Sequence, residues 1–389
     1  MTNFINQRIK KFIRKDENNV IYADNAATTK IDREVIDVMI PFLTEEYGNI
    51  SQPYSFSNVC KKAIKKARQE IAQCINADPE EIYFTSGGTE SDNWAIKMGR
   101  HVYGGDVVTS EIEHHAVIHA CNAIKHDGVK IKHLPVNEHG VVKLDNANEL
   151  IDENTGLVSV MLANNEVGSI QPIQELVEIA HRKGALFHTD AVQAVGHIPI
   201  DVKALDIDLL SASAHKFYGP KGIGFLYIKK GINIKPFMDG GMQEKGLRAG
   251  TENVASIVGM SVALRNNCMI IDKISDFLCT CEKIILKELE RVNADYVLNG
   301  NENKIPGNIS LSFRGYEGEM ILHRMDLMGI SISTGSACNS ANTQVSHVIK
   351  AIKVPDDYAV GTIRISLGKN NTEKEATFIA RSLTKIIGK

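Results

Sequence analysis

The hydrophobic pattern of the chain alternates between two periods. Short apolar runs of strand length are separated by longer stretches in which apolar residues recur at helical spacing. This alternation is typical of a parallel sheet with helices packed on both faces. We predict strands over residues 82–84, 106–110, 156–163, 185–189, 207–213 and 223–228.

The helical patterns define the rest of the framework. Residues 57–75 and 173–183 each carry one apolar stripe, and a longer helical stretch runs from Asn253 to about Arg291. This stretch breaks near Asn266 and Asn267, where we expect the boundary between a large and a small domain. Strands and helices then alternate to the C-terminus, where residues 372–387 form an amphipathic helix.

Polar residues follow several of the predicted strands. A Gly-Gly turn precedes a helix that opens near Thr89, and such a turn is either a plain connection or a phosphate-binding helix N-terminus. The adjacent residues His114 and His115 follow the strand 106–110, although no ligand spacing there supports a metal site. Asp190 ends another strand and is either a helix cap or a site carboxylate. In doubly wound sheets, ligands bind at this carboxyl edge.

The segment 209–224, LLSASAHKFYGPKGIG, contains the most informative lysine. Lys216 ends a buried-looking strand, immediately before a Gly-Pro turn. Burying an ammonium group is costly unless it is paired or neutralised. Lys216 is therefore either a surface residue in a basic turn or an amine that forms a Schiff base with pyridoxal phosphate. We expect no nearby lysine to replace it, because Lys221 follows the turn.

Composition excludes some classes of protein. The net charge of −3 gives no general attraction to nucleic acid or anionic membranes, and no apolar run is long enough to span a bilayer. Seven cysteines without a regular framework fit a reducing, cytoplasmic compartment. The first fifteen residues carry five basic side chains and no acid, which indicates a basic surface helix rather than a targeting or nucleic-acid-binding segment.

One cysteine stands apart from the other six. Cys338 lies in the loop TGSACNSAN, whose small polar residues are typical of an exposed, mobile loop. The other six cysteines lie in or beside apolar helical patterns, and we expect them to be packing residues. Cys279 and Cys281 would lie on different faces of one helix, which favours packing over a metal site.

Together these residues match the requirements of a pyridoxal phosphate site. The chemistry needs a lysine, a phosphate-binding turn and a carboxylate near the pyridine nitrogen, and it benefits from a flat group over the ring and a cation for a substrate carboxylate. The chain supplies one of each at predicted strand ends or in the closing strand: Lys216, Gly88-Thr89, Asp190, His114 and Arg364.

At this point the sequence resembles a known family. From about Tyr22 to near its end it looks like a group I cysteine desulfurase, in the class V aminotransferase family of fold-type I pyridoxal phosphate enzymes. The resemblance rests on these motifs: DNAATT, FTSGGTESDNWAIK, TSEIEHHAV, ANNEVGSIQP, FHTDAVQAVG, SASAHKFYGPKGIGFLY, GLRAGTENV, STGSACNSA and IRISLG. It implies a large domain (23–262) with a mainly parallel seven-stranded sheet. It also implies an N-terminal segment (1–22) that packs with a smaller α+β domain (263–389) carrying the cysteine loop.

The resemblance also implies a role for each site residue. Lys216 would bind pyridoxal 5'-phosphate covalently, and His114 would stack on its ring and exchange protons with the substrate thiol. Asp190 would pair with the ring nitrogen, and Cys338 would accept the sulfur. The remaining implied contacts are Asn165 and Gln193 near the ring hydroxyl, Gly88, Thr89, Ser213, His215 and the partner subunit's Thr251 at the phosphate, and Arg364 with Asn165 at the substrate carboxylate. No metal ligand is implied.

The implied reaction converts L-cysteine to L-alanine and leaves a persulfide on Cys338. The implied partners are a second copy of the chain and a sulfur-acceptor protein, such as an iron–sulfur scaffold or a thiolation enzyme, with no direct nucleic acid or membrane partner. Another enzyme of the same fold, such as an aminotransferase or a selenocysteine lyase, is the main alternative, and a non-catalytic scaffold is the second. Cys338 argues against the first, because a transaminase does not need it, and Lys216 with Asp190 argues against the second.

Three loops depart from the family pattern. GNISQ at 48–52 stands where Gly-Asn-Pro-Ser-Ser is frequent, Met242 stands where a third glycine is usual, and Gln344-Val345-Ser346 replaces Glu-Pro-Ser. These departures affect loops rather than the implied chemistry. They leave the sulfur acceptor open.

Overall fold

The computed structural model describes residues 20–334 and 345–388. In the described residues the strands are β1 Ile21–Tyr22, β2 Ile82–Thr85, β3 Asp106–Ser110, β4 Ile131–Leu134, β5 Thr155–Ser159, β6 Leu186–Asp190, β7 Leu209–Ser213, β8 Gly224–Ile228, β9 Tyr296–Asn299, β10 Asn308–Phe313, β11 Ile330–Ser331 and β12 Thr362–Ser366. The α-helices are α1 Arg33–Thr44, α2 Asn58–Cys74, α3 Gly88–Tyr103, α4 His115–Ile124, α5 Leu144–Leu150, α6 Ile173–Arg182, α7 Val254–Cys268, α8 Ile271–Arg291, α9 Gly318–Leu327, α10 His347–Ala351, α11 Asp356–Ala359 and α12 Glu373–Ile387.

A seven-stranded sheet forms the centre of the fold, in the order β2-β8-β7-β6-β5-β3-β4. Only β8 runs antiparallel to its neighbours, β2 and β7, so the other six strands point the same way. This confirms the expected fold-type I α/β architecture. Because the six strands share a direction, the segments that follow β2, β3, β5, β6 and β7 meet at one edge of the sheet.

Both faces of this sheet are covered, as the near-continuous apolar strands require. Alternate residues of β7 and β8 enter different cores: Leu210 and Phe225 pack in one, and Leu209 and Leu226 in the other. The second of these cores also contains the fully buried Trp94 of α3. The period of two along each strand therefore divides the side chains between two helical layers.

A separate core lies around the three-stranded antiparallel sheet β12-β10-β9. Helices α8 and α12 supply its apolar stripes, and Ile21 of β1, which pairs with Ile330 of β11, joins the same core. The expected domain boundary at 262/263 falls inside α7, whose residues 257–264 pack in the core of the large sheet. The chain crosses between the cores at the short break between α7 and α8 instead.

Several boundaries differ from the predictions by a few residues. The strand expected over 156–163 ends at Ser159, although the N–H groups of Val160 and Leu162 still donate to carbonyls of the segment that contains β6. The helix expected to open near Thr89 begins one residue earlier, at Gly88. These differences leave the sheet edge and its polar residues where they were expected.

The expectation that six cysteines pack in apolar surroundings fails for one of them. Cys60, Cys121 and Cys281 are buried, but Cys279 is exposed on the outer face of α8. A spacing of two residues rotates a helical side chain by about 200°, so when Cys281 enters the core Cys279 cannot. Cys338 and the segment 1–19 lie outside the described residues.

Over the described residues, no single helix has the length and apolar character needed to cross a bilayer. The pair α7 and α8 meets those two criteria together, with a bend of 69° between its halves.

Candidate active site

A cavity of about 600 Å³ opens at the carboxyl edge of the large sheet. Its volume is in the range of pockets that hold a small cofactor and its substrate. Ten of the residues predicted from the sequence line it together: Gly88, Thr89, His114, Asn165, Asp190, Gln193, Ser213, His215, Lys216 and Arg364. Positions that are up to 276 residues apart in the chain thus form one site.

Lys216 stands at the end of a single helical turn that directly follows β7. Its Nζ donates to the carbonyl oxygens of Ala26, at 2.5 Å, and Ala27, at 2.9 Å. The segment before α1 therefore holds the amine inside the cavity, a contact that the sequence did not reveal. Lys221, which follows the Gly-Pro turn, lines the same cavity. That it cannot replace Lys216 therefore stays a prediction.

The turn after β2 forms one wall of the cavity. Gly87 has a φ of +150°, and α3 begins at Gly88, so the first-turn N–H groups have no acceptor within the helix. A Cβ on Gly88 would stand 2.6 Å from Cγ2 of Val192 and 3.7 Å from Cβ of Ser213. Glycine at position 88 therefore permits the close approach of Val192, and the first-turn N–H groups of α3 form a positive helix end that suits an anion.

Asp190 lies at the end of β6 and is almost fully buried. Its Oδ1 accepts from the Val192 N–H at 2.9 Å, so it acts as a local cap as well as lining the cavity. Burial raises the pKa of Asp190, and burial together with the charge of Asp190 raises the pKa of Asp92 beside it. We infer that Asp92 takes the proton, because nearby Lys216 favours a charged Asp190.

A buried histidine supports these two carboxyl groups. His188 shares hydrogen bonds with Ser159 through Nδ1, at 2.8 Å, and with Ser211 through Nε2, at 2.9 Å. Burial lowers the pKa of His188 to about 3, so the ring is neutral at physiological pH. Asp92 Oδ1 lies 3.7 Å from its Nε2. The network adds no positive charge behind Asp190.

His114 caps the N-terminus of α4. Its Nδ1 accepts from the Ala116 N–H at 3.2 Å. Burial, with the nearby charge of Lys216, lowers the pKa of His114 to about 4. The ring is therefore neutral at physiological pH, and because Nδ1 is the acceptor, the tautomer that fits the cap carries its proton on Nε2.

Arg364 comes from β12 of the second sheet and is buried. Its Nη2 lies 2.7 Å from Oδ1 of Asp24, and its Nη1 donates to the Asn165 carbonyl at 2.8 Å. Its Nε has no hydrogen-bond partner among the described residues. The sequence predicted the cation but missed Asp24, although a buried arginine requires such a partner.

Several further residues line the cavity without having been predicted as site residues, among them Glu113, His115, Glu166 and His347. Burial raises the pKa of Glu113 to about 8 and that of Glu166 to about 7. His347 follows the part of the chain that the structure does not describe, and its ring centroid lies 5.4 Å from that of His115. Glu113, His115 and Glu166 lie within the motifs TSEIEHHAV and ANNEVGSIQP, but no feature of the sequence assigned any of them a role in the site.

Two predicted contacts are already engaged within the chain. Gln193 Nε2 donates to the Ala26 carbonyl at 2.9 Å, and Nδ1 of His215 lies 3.1 Å from Oγ1 of Thr28. Both residues thus also hold the 26–28 segment against the cavity. Thr251 is exposed and lies outside the cavity within this chain, and Cys338 is outside the described residues.

The matching family model is described as aminotransferase class-V, and it spans residues 21–378. A cysteine desulfurase IscS of Clostridium botulinum is 45% identical over 376 residues, which are 95% of each chain. A cysteine desulfurase NifS of Azotobacter vinelandii is 39% identical over 94% of this chain and 92% of the relative.

Solved structures show the same similarity. A chain described as a NifS-like protein superposes with a TM-score of 0.89 at 37% identity, over 94% of this chain and 99% of that one. A structure described as SspA in complex with cysteine gives a TM-score of 0.79 at 34% identity, over 89% of this chain and 98% of that one. Family and fold therefore agree over nearly the whole described chain.

Proposed function

Because the chain belongs to the class-V aminotransferase family, and is a pyridoxal phosphate-dependent cysteine desulfurase, we propose that the cavity at the carboxyl edge of the large sheet is its active site. L-Cysteine is converted there to L-alanine, and the sulfur passes to Cys338. The observation that carries this proposal is the convergence of Lys216, Asp190, His114 and Arg364 on one cavity.

The cavity fits the cofactor in its donor groups. Gly87, Gly88 and Thr89 present a helix N-terminus to a phosphate, with Ser213 and His215 beside it. A buried carboxylate, Asp190, suits a protonated ring nitrogen, and Lys216 supplies the amine. When bound, pyridoxal phosphate supplies an electron sink that stabilises negative charge at the substrate's α-carbon.

Lys216 is the group that moves the α-proton. Its amine is held by the Ala26 and Ala27 carbonyls inside the cavity, which fixes the position of Nζ. Once the amine is neutral, its lone pair accepts a proton from the α-carbon and returns it to a neighbouring carbon. Asp190 remains charged because Asp92 takes the proton. The negative charge of Asp190 then stabilises a protonated ring nitrogen.

His114 contributes through Nε2. In the tautomer that caps α4, this nitrogen carries a proton and donates a hydrogen bond to the sulfur of the substrate, which favours the thiolate. Accepting a proton from the thiol requires the other tautomer and loss of the cap to Ala116. The capped state therefore stabilises sulfur as an anion, and proton exchange is coupled to opening of the cap.

Arg364 holds the substrate carboxylate. Its guanidinium is fixed by Asp24 and by the Asn165 carbonyl, and the side chain lines the cavity. A planar guanidinium suits a carboxylate better than an ammonium group does, because it offers donors in a fixed fork. Orientation of the substrate by this residue places the α-carbon near Lys216.

The sulfur route, assembly and compartment are part of the same proposal. Cys338, in its small-residue loop, attacks the substrate sulfur and becomes a persulfide, which a sulfur-acceptor protein then receives. A homodimer brings the partner's Thr251 to the phosphate. The reducing environment that such a thiol needs is the cytoplasm. Iron–sulfur assembly and other thiolation routes remain candidate destinations.

The decisive experiment changes Cys338 to Ser. The variant is expected to bind cofactor and cysteine but to form alanine at close to zero rate, because serine cannot carry sulfane sulfur. Cys279→Ser is the matched control, since Cys279 is exposed on α8 and distant in sequence from the loop. Wild-type enzyme given cysteine without reductant should gain one sulfur on the peptide that contains Cys338. Alanine formation at the wild-type rate by Cys338→Ser would refute the proposal.

A further inference from the structure

Two cysteines that the proposed reaction does not use lie together at the ends of two packed helices. Cys74 is the last residue of α2, and Cys268 is the last residue of α7. The two thiols are within hydrogen-bonding contact of each other, and both line the same cleft. Both side chains are half-buried rather than enclosed in the core. Both were predicted to be ordinary packing residues.

A salt bridge fixes the relative positions of the two helices beside the thiols. Arg265 Nη1 lies 2.7 Å from Oε1 of Glu70. Glu70 precedes Cys74 by four residues and Arg265 precedes Cys268 by three, so each charged residue lies on the same helical face as its cysteine, one turn away. The helices therefore run in the same direction at this point, and the contact between the thiols does not depend on mobile side chains alone.

The thiols are also reachable from outside. Both line a cleft of about 410 Å³ that Pro199, Ile200 and the start of α8 complete. Met269, adjacent to Cys268, is 78% exposed. A small oxidant such as hydrogen peroxide can enter a cleft of this size without any change in the fold.

The two thiols differ in their readiness to react. The hydrogen bond from Cys74 lowers the pKa of Cys268, whereas the same bond, together with burial, raises the pKa of Cys74. Both sulfurs stand at helix C-termini, whose dipole disfavours a thiolate, so the hydrogen bond has to supply the stabilisation. Cys268 is thus the attacking sulfur and Cys74 the resolving one.

We propose that Cys74 and Cys268 form a reversible disulfide when the protein meets a peroxide. The Cys268 thiolate attacks one peroxide oxygen, the O–O bond breaks, and the departing hydroxide takes up a proton to leave as water. The Cys74 sulfur then displaces the hydroxyl group of the resulting sulfenic acid, which leaves as a second water. Two thiols are oxidised to one disulfide, and one peroxide is reduced to two waters.

The disulfide would connect the large-domain helices at the junction from which the chain passes into the second core, between α7 and α8. Forming this disulfide would leave the charged groups of the active-site cavity unchanged, because neither cysteine lines that cavity. The thiol pair is therefore an oxidation site separate from Cys338, and dithiol reductants should reverse its modification.

Trypsin separates the cysteines in a way that makes the test direct. Residues 69–97 contain Cys74 alone, residues 266–273 contain Cys268 alone, and residues 274–283 contain Cys279 and Cys281. Full-length holoenzyme is treated with equimolar hydrogen peroxide, free thiols are alkylated, and unreduced digests are measured by mass spectrometry. We expect peptides 69–97 and 266–273 to be joined with loss of two hydrogens, and dithiothreitol to separate them.

Variants distinguish this pair from general thiol oxidation. Cys279→Ser, the control, should leave the linked peptides unchanged. Cys74→Ser should abolish the link and drive Cys268 to sulfinic acid, because the resolving thiol is lost. The proposal is overturned if native wild-type protein yields sulfinic acids on both peptides without a link, if the link forms only in denaturant, or if Cys279 oxidises while Cys74 and Cys268 stay reduced.

Discussion

The close approach of Gly88 and Val192 in the cavity wall offers a quantitative test. A Cβ placed on Gly88 would stand 2.6 Å from Cγ2 of Val192, whereas ordinary contacts between such carbon atoms lie at about 3.5–4.0 Å. Val192 is β-branched and stiff at χ1, so it cannot easily turn away. Gly88→Ala therefore forces the start of α3 and Val192 apart, and overpacking of this kind typically costs about 1–3 kcal/mol.

The strain should appear in cofactor binding, because Gly88 and Val192 both line the cavity. At about 1.4 kcal/mol per tenfold change, Gly88→Ala should weaken binding of pyridoxal phosphate to the apoenzyme by about 5- to 150-fold. Absorbance titration of the apoenzyme with cofactor measures this change. Thermal unfolding of the same apo samples measures how much of the strain is already present without the cofactor.

A second substitution removes the cause of the clash without restoring glycine. Val192→Ala deletes Cγ2, so Gly88→Ala combined with Val192→Ala should bind cofactor nearly as well as Val192→Ala alone. The difference between the single and double variants is the coupling energy of a double-mutant cycle. Cofactor affinity of Gly88→Ala within twofold of wild type, or a double variant no better than Gly88→Ala, would refute the close approach on which the argument rests.

Two further predictions concern the groups that handle protons. Lys216→Ala should lower alanine formation by at least about 10²–10⁴-fold. In the wild-type enzyme, borohydride should fix the cofactor on the peptide that carries Lys216. Fixation on Lys221, which lines the same cavity, would contradict the assignment. Because the pKa of His114 is lowered to about 4, its neutral form persists until the pH falls through that value. The pH profile of kcat/KM should therefore show no inflection near 6.5 that comes from His114. An inflection near 6.5 in the wild type that disappears in His114→Gln would contradict this.

The framework was predictable from the sequence because periodicity reports burial. Strand β3 was predicted with both ends correct, and five of the six parallel strands follow from apolar runs separated by helical patterns, whereas β4 was not predicted. The residues at the strand ends were predictable for the same reason, since the end of a parallel strand determines the edge of the sheet at which a side chain lies. Asp190 and His114 were identified in this way.

Contacts made by backbone atoms and by distant partners were not predictable. Nothing in Ala26 and Ala27 marks their carbonyls as acceptors for Lys216, because every residue carries a carbonyl group. Asp24 and Arg364 are 340 residues apart, and only the packing of the second sheet against the 24–28 segment brings them together. Likewise, the pairing of Cys74 with Cys268 depends on how α2 packs against α7, which helical periodicity alone does not specify.

Thr251 gives a test of the proposed dimer that does not depend on measuring mass alone. Thr251 is exposed and outside the cavity of its own chain, while Arg248, three residues earlier, is tied at 2.8 Å to Glu90, which lines that cavity. This loop is anchored beside the site of its own chain and exposes the Thr251 hydroxyl. Such a loop is well placed to donate a hydrogen bond from Thr251 to the site of a second copy.

If the sites are shared, two inactive variants should complement each other. Lys216→Ala removes the amine from its own chain, and Thr251→Asp should repel the phosphate in the partner's site. After subunit exchange, each mixed dimer contains one site with both Lys216 and Thr251 intact, so an equimolar mixture should recover about a quarter of wild-type activity if dimers form at random. Alanine formation is compared before and after exchange, with light scattering to confirm that dimers are present. Exchanged dimers that recover no activity would show that Thr251 does not act across the interface, since a residue serving its own chain leaves every mixed site defective.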